Sequence, residues 1–219
     1  MMTAILPSYV QGGWWTPADP STGSGTDGVV VSDASTGEEV TRVSTEGIDL
    51  AAALDYARTT GQKSLGALTF HQRAMLLKHF ALALNERKEE LYELSLRAGA
   101  TRRDSLSDVD GGIGVLFTYS SKGRRELPNS QVYVDGAPEP LSKDGTFLGR
   151  HIYTRLPGVA VQINAFNFPV WGALEKFAPP SSRGCPRSSS PRRRRPMSPR
   201  RGCGCSSRPD SCPTVRCSS

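Results

Sequence analysis

Asn167 is the residue whose type and place could do chemistry. It sits in Asn164-Ala165-Phe166-Asn167-Phe168-Pro169, directly after the apolar run Val159-Ala160-Val161-Gln162-Ile163. A short run of this kind reads as a strand buried in a parallel sheet. The loop after it then falls at the carboxyl end of the strand, the edge at which α/β proteins bind ligands. A carboxamide placed there donates N–H toward a developing oxyanion. The competing reading is local, because a loop asparagine commonly bonds its own backbone. Two other patterns promise less. Gly23-Ser24-Gly25-Thr26-Asp27-Gly28 spells G-x-G-x-x-G, but that fingerprint needs a strand before it and a helix after it. Here Pro17 and Pro20 precede it and Val29-Val30-Val31 follows, so it reads as a flexible connection. Cys185, Cys203, Cys205, Cys212 and Cys217 match no zinc spacing, and the last histidine is His151; no metal site is expected.

Several elements must position Asn167. Residues 1–28 are loop-rich, and Val29–Ser32 and Glu39–Ser44 read as strands around the turn Ala34–Gly37. Asp49–Ser64 has helical spacing in Leu50, Leu54 and Ala57, with Gly61 weakening its end. Thr69-Phe70-His71-Gln72 is a capping box opening a helix predicted to run to about Ala98. Met75, Leu76, Phe80, Leu84, Leu91 and Leu94 give it an apolar face, and Arg87–Glu90 is a solvated charged stretch. A third helix is predicted from Ser105 to about Ser121 despite Gly111, Gly112 and Gly114, whose closeness suggests tight packing. Gln131–Val134 and His151–Arg155 read as strands, with a turn at Asp135-Gly136. A helix follows from Val170 to Phe177. A doubly wound sheet thus begins at Val159, and no further unit of it is evident downstream.

Charge and cysteine both break near Pro180. The chain of 219 residues carries +6, while Ser181–Ser219 alone holds ten Arg, one Asp and no Lys. Residues 1–180 are therefore mildly acidic, and a nucleic-acid reading of the basic balance applies only to the tail. That tail has no Leu, Ile or aromatic residue, so it cannot bury enough apolar surface to offset chain entropy and is expected to be disordered. The start, Met1–Val10, lacks a basic segment and a long apolar core. No run approaches the ~18 apolar residues of a membrane span. A soluble cytoplasmic protein, with no membrane partner, is expected.

The stretch Tyr153–Pro169 resembles the aldehyde dehydrogenase superfamily, whose pattern at this point is P-W-N-F-P or a close variant. Leu68–His71, Ala98–Arg102, Asp110–Gly114, Leu116–Tyr119, Arg125–Pro128 and Trp171–Lys176 narrow the resemblance. They are similar to the aldehyde dehydrogenase domain of the phenylacetate-degradation (PaaZ) type, over residues from about 5 to 179. The resemblance implies an α/β fold: here the N-terminal part of the family fold, a helical bundle, small strands and the start of a doubly wound sheet over residues 1–179. Residues 180–219 follow as a disordered tail. It also implies covalent chemistry. A cysteine thiolate attacks the aldehyde, the oxyanion is held by the asparagine amide and a backbone N–H, hydride passes to NAD or NADP, and a glutamate activates water. By the resemblance, Asn167 is the oxyanion donor, and Ile163 and Phe166 line the nicotinamide side. The intact type is a homo-oligomer that oxidises a CoA-linked semialdehyde and usually carries a second, hydratase-like domain.

After the Glu175-Lys176 helix the family continues into an apolar strand ending in Lys-Pro-Ala, whose lysine holds the cofactor ribose. This chain reads Ser181-Ser182-Arg183-Gly184-Cys185-Pro186 and then serine and arginine. Out-of-frame translation accounts for that. Read one base late, GCG and ACG become arginine codons, a GTG valine before proline becomes cysteine, and an AAG lysine before proline becomes serine. Pro180–Pro199 is compatible with A-F-L-A-G-V-P-T-I-V-K-P-A-T-x-T-A-Y-V-T, and Ser190 then stands in the lysine's place. Ser211–Ser219 is likewise compatible with L-L-P-D-G-A-V-Q-L. On this reading the chain is a truncated N-terminal fragment, inactive and binding no cofactor. The alternative is a non-enzymatic remnant whose Arg192–Arg195 run attracts nucleic acid non-specifically through phosphate charge.

Overall fold

The computed structural model describes residues 5–17 and 28–184, and the backbone of 187–191. Among them no helix is long and apolar enough to cross a membrane, and no cluster of His, Cys, Asp or Glu could hold a metal ion. The G-x-G-x-x-G stretch lies outside the described residues except for Gly28, whose φ of 68° suits its glycine.

Two hairpins open the chain. Strands β1 (Ser8–Val10) and β2 (Gly13–Trp15) pair antiparallel. Gln11 and Gly12 between them both have positive φ, 52° and 81°, the backbone of a two-residue hairpin turn. Residues 5–17 are therefore less loop-like than their composition suggests. Strands β3 (Val29–Ser32) and β4 (Glu39–Val43) pair around a turn that Asp33 organises. Its carboxylate accepts the backbone N–H groups of Ser35 and Thr36, at 2.8 and 3.1 Å, and these bonds hold its pKa below the ordinary value.

The helices form the core. Asp49 caps α1 (Leu50–Tyr56) by accepting from the Ala52 amide at 2.9 Å. A π-helical turn, Ala57–Gly61, then separates α1 from α2 (Gln62–Gly66), so the predicted continuous helix is interrupted. The capping box forms as the sequence implies. The Thr69 hydroxyl accepts from the Gln72 amide at 3.2 Å, and the Gln72 side chain accepts from the Thr69 amide at 2.9 Å. The helix it starts ends early, as α3 (Phe70–Glu86). Arg87 leaves helical geometry (φ −110°, ψ 18°), and α4 (Lys88–Arg97) starts a new axis. Tyr92 and Ser95 are the buried residues of α4.

The predicted apolar face holds in part, since Leu84 and Leu91 pack against the core. Ala74, Leu77 and Ala81 are buried, whereas Leu76, Phe80 and Leu94 are exposed. A Cβ added to Gly123 of α5 (Arg102–Arg125) would lie 3.0 Å from the Ala74 Cβ. Small residues meet where Gly123 faces Ala74, while Leu76 and Phe80 stay exposed. Leu77, Ala81, Tyr92, Val109, Ile113, Leu116, Leu174 and Ala178 make one core, with α5 packed against α3, α4 and α6 (Pro169–Ser182).

Tyr92 ties α4 to α5, since its buried hydroxyl donates to Asp110 at 2.8 Å. Burial, and then the bond to Asp110, push its phenol up to about 12. An unfolded tyrosine ionises near pH 10. The stabilising contribution is thus complete below about pH 10 and is lost as pH rises toward about 12. Tyr92→Phe is expected to cost about 1 kcal/mol at pH 8, and the gap to wild type should shrink at pH 11. Urea unfolding at the two pH values measures it, and an unchanged gap contradicts the assignment.

Strands β5 (Tyr133–Pro140) and β6 (Leu148–Tyr153) form a third antiparallel hairpin. The expected turn at Asp135-Gly136 is instead a bulge within β5, with Gly136 at φ 62°. The hairpin closes at residues 142–146. There Asp144 accepts from the Ser142 and Thr146 hydroxyls at 2.6 and 2.8 Å, and these bonds draw its carboxyl down to about 2.

The last unit runs from β7 (Ala160–Asn164) through α6 to β8 (Arg187–Pro191), and β7 and β8 pair in parallel. Two expectations change here. The sheet does continue past β7, and the tail expected to be disordered from residue 180 is helical through Ser182 and extended at 187–191. Its other residues lie outside the described ones. Pro180 does not end α6, because proline's φ is helical and the carbonyl it orphans finds another donor. That carbonyl belongs to Lys176, and the buried Gln162 side chain donates to it. Gly184 ends the segment at φ 77°.

Arg73 secures that end. It is 2% exposed, and its guanidinium donates to the carbonyls of Ser182 (2.8 Å), Leu65 (3.2 Å) and Leu68. Burial, and then the neighbouring Arg155 charge, lower its pKa, yet a guanidinium stays protonated in proteins. Arg73→Met keeps most of the volume and leaves these carbonyls without their donor. A loss of about 3 kcal/mol in urea unfolding is expected. A change within about 0.5 kcal/mol, the range of ordinary surface substitutions, would show that solvent replaces the guanidinium.

Candidate active site

Strand β7 is covered on one face only. Gln162 and Asn164 are buried toward α6, while Val161 and Ile163 on the other face are 66% and 64% exposed. The apolar run therefore does not have the two-sided burial its composition suggests. Its open face carries the apolar residues, and the face against α6 carries the polar ones.

The loop Ala165–Phe168 leaves the carboxyl end of β7 and enters α6 at Pro169. Asn167 is exposed on it, and Phe166 beside it is 51% exposed. Ile163, Phe166 and Asn167 thus share one edge of the β7–β8 pair. All three belong to the end of β7 and the loop after it, where a parallel sheet presents its ligand-binding edge. No cysteine occurs among residues 1–184, so the described residues bring no thiol to this edge.

Sequence reasoning missed Asp108. It lies on α5, far from the loop in sequence and 2% exposed. Its carboxylate accepts from the Val170 amide at 3.1 Å and from the Trp171 amide at 2.7 Å, at the start of α6. The glycines noticed in the sequence belong to the same contact. A Cβ on Gly111 would come within 2.4 Å of the Trp171 ring, and one on Gly112 within 3.0 Å of the Trp171 Cα. These glycines serve helix packing, the reading their spacing favours. The available signal was Asp108 at three and four residues before Gly111 and Gly112, which puts all three on one helix face.

Comparison with known proteins supplies the frame for this edge. A sequence model described as the aldehyde dehydrogenase family matches residues 21–200. A 3,4-dehydroadipyl-CoA semialdehyde dehydrogenase of Aromatoleum evansii is 41% identical over 187 residues, covering 85% of this chain and 35% of that protein. A benzaldehyde dehydrogenase (NAD(+)) of Pseudomonas putida is 29% identical over 135 residues, covering 61% of this chain and 25% of its own. The chain thus spans about a third or less of these relatives. Among solved structures, aldehyde dehydrogenase 21 of Physcomitrella patens, in complex with the reaction product succinate, superposes with a TM-score of 0.70. It is 18% identical, and the match covers 86% of this chain and 37% of that one. A 3,6-anhydro-L-galactose dehydrogenase in complex with NAP gives 0.65 at 22% identity, over 87% and 36%. At these identities the structural likeness speaks to the fold, which is a partial version of theirs.

Proposed function

The chain belongs to the aldehyde dehydrogenase family, and from that footing we propose that it is the N-terminal part of an NAD(P)-dependent enzyme oxidising a CoA-linked semialdehyde in phenylacetate catabolism. The observation that carries this is the 41% identity to a CoA-semialdehyde dehydrogenase, against 29% to a benzaldehyde dehydrogenase. The intact enzyme acts in the cytoplasm as a homo-oligomer. Asn167 supplies the side-chain donor to the oxyanion. Ile163 and Phe166 wall the nicotinamide side, and their exposed apolar surface at the β7 edge supports that role.

The residues present fit only part of a dinucleotide site. Ser190, opposite Ile163 in the β7–β8 register, stands where the family's ribose lysine belongs. A serine hydroxyl has neither the reach nor the charge of that lysine, so the chain as it stands is proposed to bind no cofactor and to be inactive. Out-of-frame translation from about Pro180 explains the serine. The parallel pairing of residues 187–191 supports that reading, because the in-frame text T-I-V-K-P would put the family strand at these positions. Sequencing the gene beyond the codon for Ser219 tests it. A dehydrogenase reading continuing in the neighbouring frame is expected, and an early stop there would overturn it. Assaying the frame-corrected enzyme on a CoA-linked semialdehyde and on benzaldehyde tests the substrate. Preference for benzaldehyde would refute the CoA-linked assignment.

A further inference from the structure

We propose that Asp108 is a positioning residue for Asn167: its carboxylate, acting from α5, clamps the first turn of α6 and thereby fixes the loop 165–168. Its consequence for catalysis rests on the oxyanion role proposed for Asn167; the clamp itself does not.

An accounting of the α6 N-terminus leads to it. The first turn of a helix has amides with no intrahelical acceptor, usually served by a side chain at the cap position. Phe168 is the cap residue here and offers no side-chain acceptor. Pro169, the first helical residue, has no N–H. The Gly172 amide already bonds to the Phe168 carbonyl at 2.9 Å. Val170 and Trp171 are left, and Asp108 takes one with each carboxylate oxygen. A carboxylate at this point also faces the positive end of the α6 dipole.

The approach is made possible by glycine. Asp108, Gly111 and Gly112 occupy one face of α5, at helical spacings of three and four. The clash at Gly112 would be with the Trp171 backbone, including its nitrogen at 3.2 Å, and no rotamer change relieves it. So α5 presents a charged acceptor and a flat seat to one turn of α6. Asn167 is three residues before the nearer clamped amide and two after Ala165, which follows β7 directly. With β7 fixed at one end and the clamp at the other, little freedom remains for the loop between them.

Heteronuclear NMR on the 219-residue chain is the test. A coupling across the hydrogen bond between the Asp108 carboxyl carbon and the Val170 and Trp171 amide nitrogens is expected in wild type. Asp108→Asn retains one acceptor oxygen and presents an NH₂ to the other amide. Protection from hydrogen exchange should survive at one of the two amides and fall by about 2- to 30-fold at the other, the factor of a lost helix cap. Asp108→Ala should lose protection at both, and the backbone order of Asn167 should drop, while Leu77 and Leu116 amides in the α3–α5 core keep theirs. If the alanine variant does not fold, the wild-type coupling and the asparagine variant decide. Absent coupling, full protection at both amides in Asp108→Asn, or unchanged Asn167 order once protection is lost would each overturn the proposal. These readouts report the clamp and the order of the loop, not the oxyanion role. Turnover of an Asn167 variant reports the role of the loop, so the two readings can fail separately.

Discussion

The 219-residue chain should form no NAD(P)H from any aldehyde, and moving the reading frame by one base near the Pro180 codon should turn activity on. The first half follows from what the β7 edge lacks. Covalent aldehyde oxidation needs a thiolate within reach of the carbonyl and a group that activates water. Residues 1–184 contain no cysteine. A thiol needs a fold that aims it and lowers its pKa, and the later cysteines come with a sequence that lacks Leu, Ile and aromatic residues. The second half follows from what the proposed shift would restore. In the corrected text the strand paired with β7 reads T-I-V-K-P in place of Arg187–Pro191. That returns β-branched apolar side chains, each contributing on the order of 1.5–3 kcal/mol when buried, and the lysine for the cofactor ribose. The corrected enzyme should turn over at about 1–1000 per second, the common range. Spectrophotometry of NAD(P)H with a CoA-linked semialdehyde, run on both proteins side by side, measures the contrast. Activity in the uncorrected chain, or a corrected gene that yields folded but inactive protein, would count against the reading.

The sequence was most legible where chemistry is local. Thr69 and Gln72 are three residues apart, and their reciprocal bonds need nothing from elsewhere. The β7–loop–α6 unit was legible for a similar reason: an apolar run, a polar loop and a proline at the helix start follow one another directly. What stayed hidden depends on partners distant in the chain. On α3, the close approach of Gly123 of α5 brings Ala74 into the contact, so ranking residues by size misses part of the buried stripe. The break at Arg87 has no proline or glycine to announce it. Beyond it Tyr92 donates to Asp110, a partner 18 residues away in the chain.

Composition misled in two places. The proline- and glycine-rich residues 1–28 read as loop, yet a hairpin forms around Gln11-Gly12, both at positive φ. The serine- and arginine-rich segment after Pro180 concealed both the end of α6 and a strand. Backbone pairing there follows β7, while the residue types do not encode a strand of their own. Asp108 was hidden for a third reason. Its donors are the amides of Val170 and Trp171, and backbone amides carry no residue-specific signal in a sequence.

In the frame-corrected enzyme, Asn167→Ala should lower kcat by about 100- to 1000-fold with little change in cofactor affinity. Asn167 lies exposed at the carboxyl end of β7, on a loop bounded by the strand on one side and the Asp108-held turn of α6 on the other. A donor held in that way is placed before the reaction begins, and its bond strengthens as the carbonyl oxygen gains charge. An interaction made mainly in the transition state appears in kcat, whereas one made equally in the ground state appears in KM. Removing the amide should therefore slow turnover while Ile163 and Phe166, proposed to wall the nicotinamide side, are left in place. Asn167→Asp should be at least as damaging, since a carboxylate offers no donor and sets a negative charge against the oxyanion. Steady-state kinetics for the three proteins, with cofactor binding measured separately by fluorescence, resolve the two effects. Normal turnover in Asn167→Ala would remove the oxyanion role, and a parallel loss of cofactor affinity would reassign Asn167 to binding.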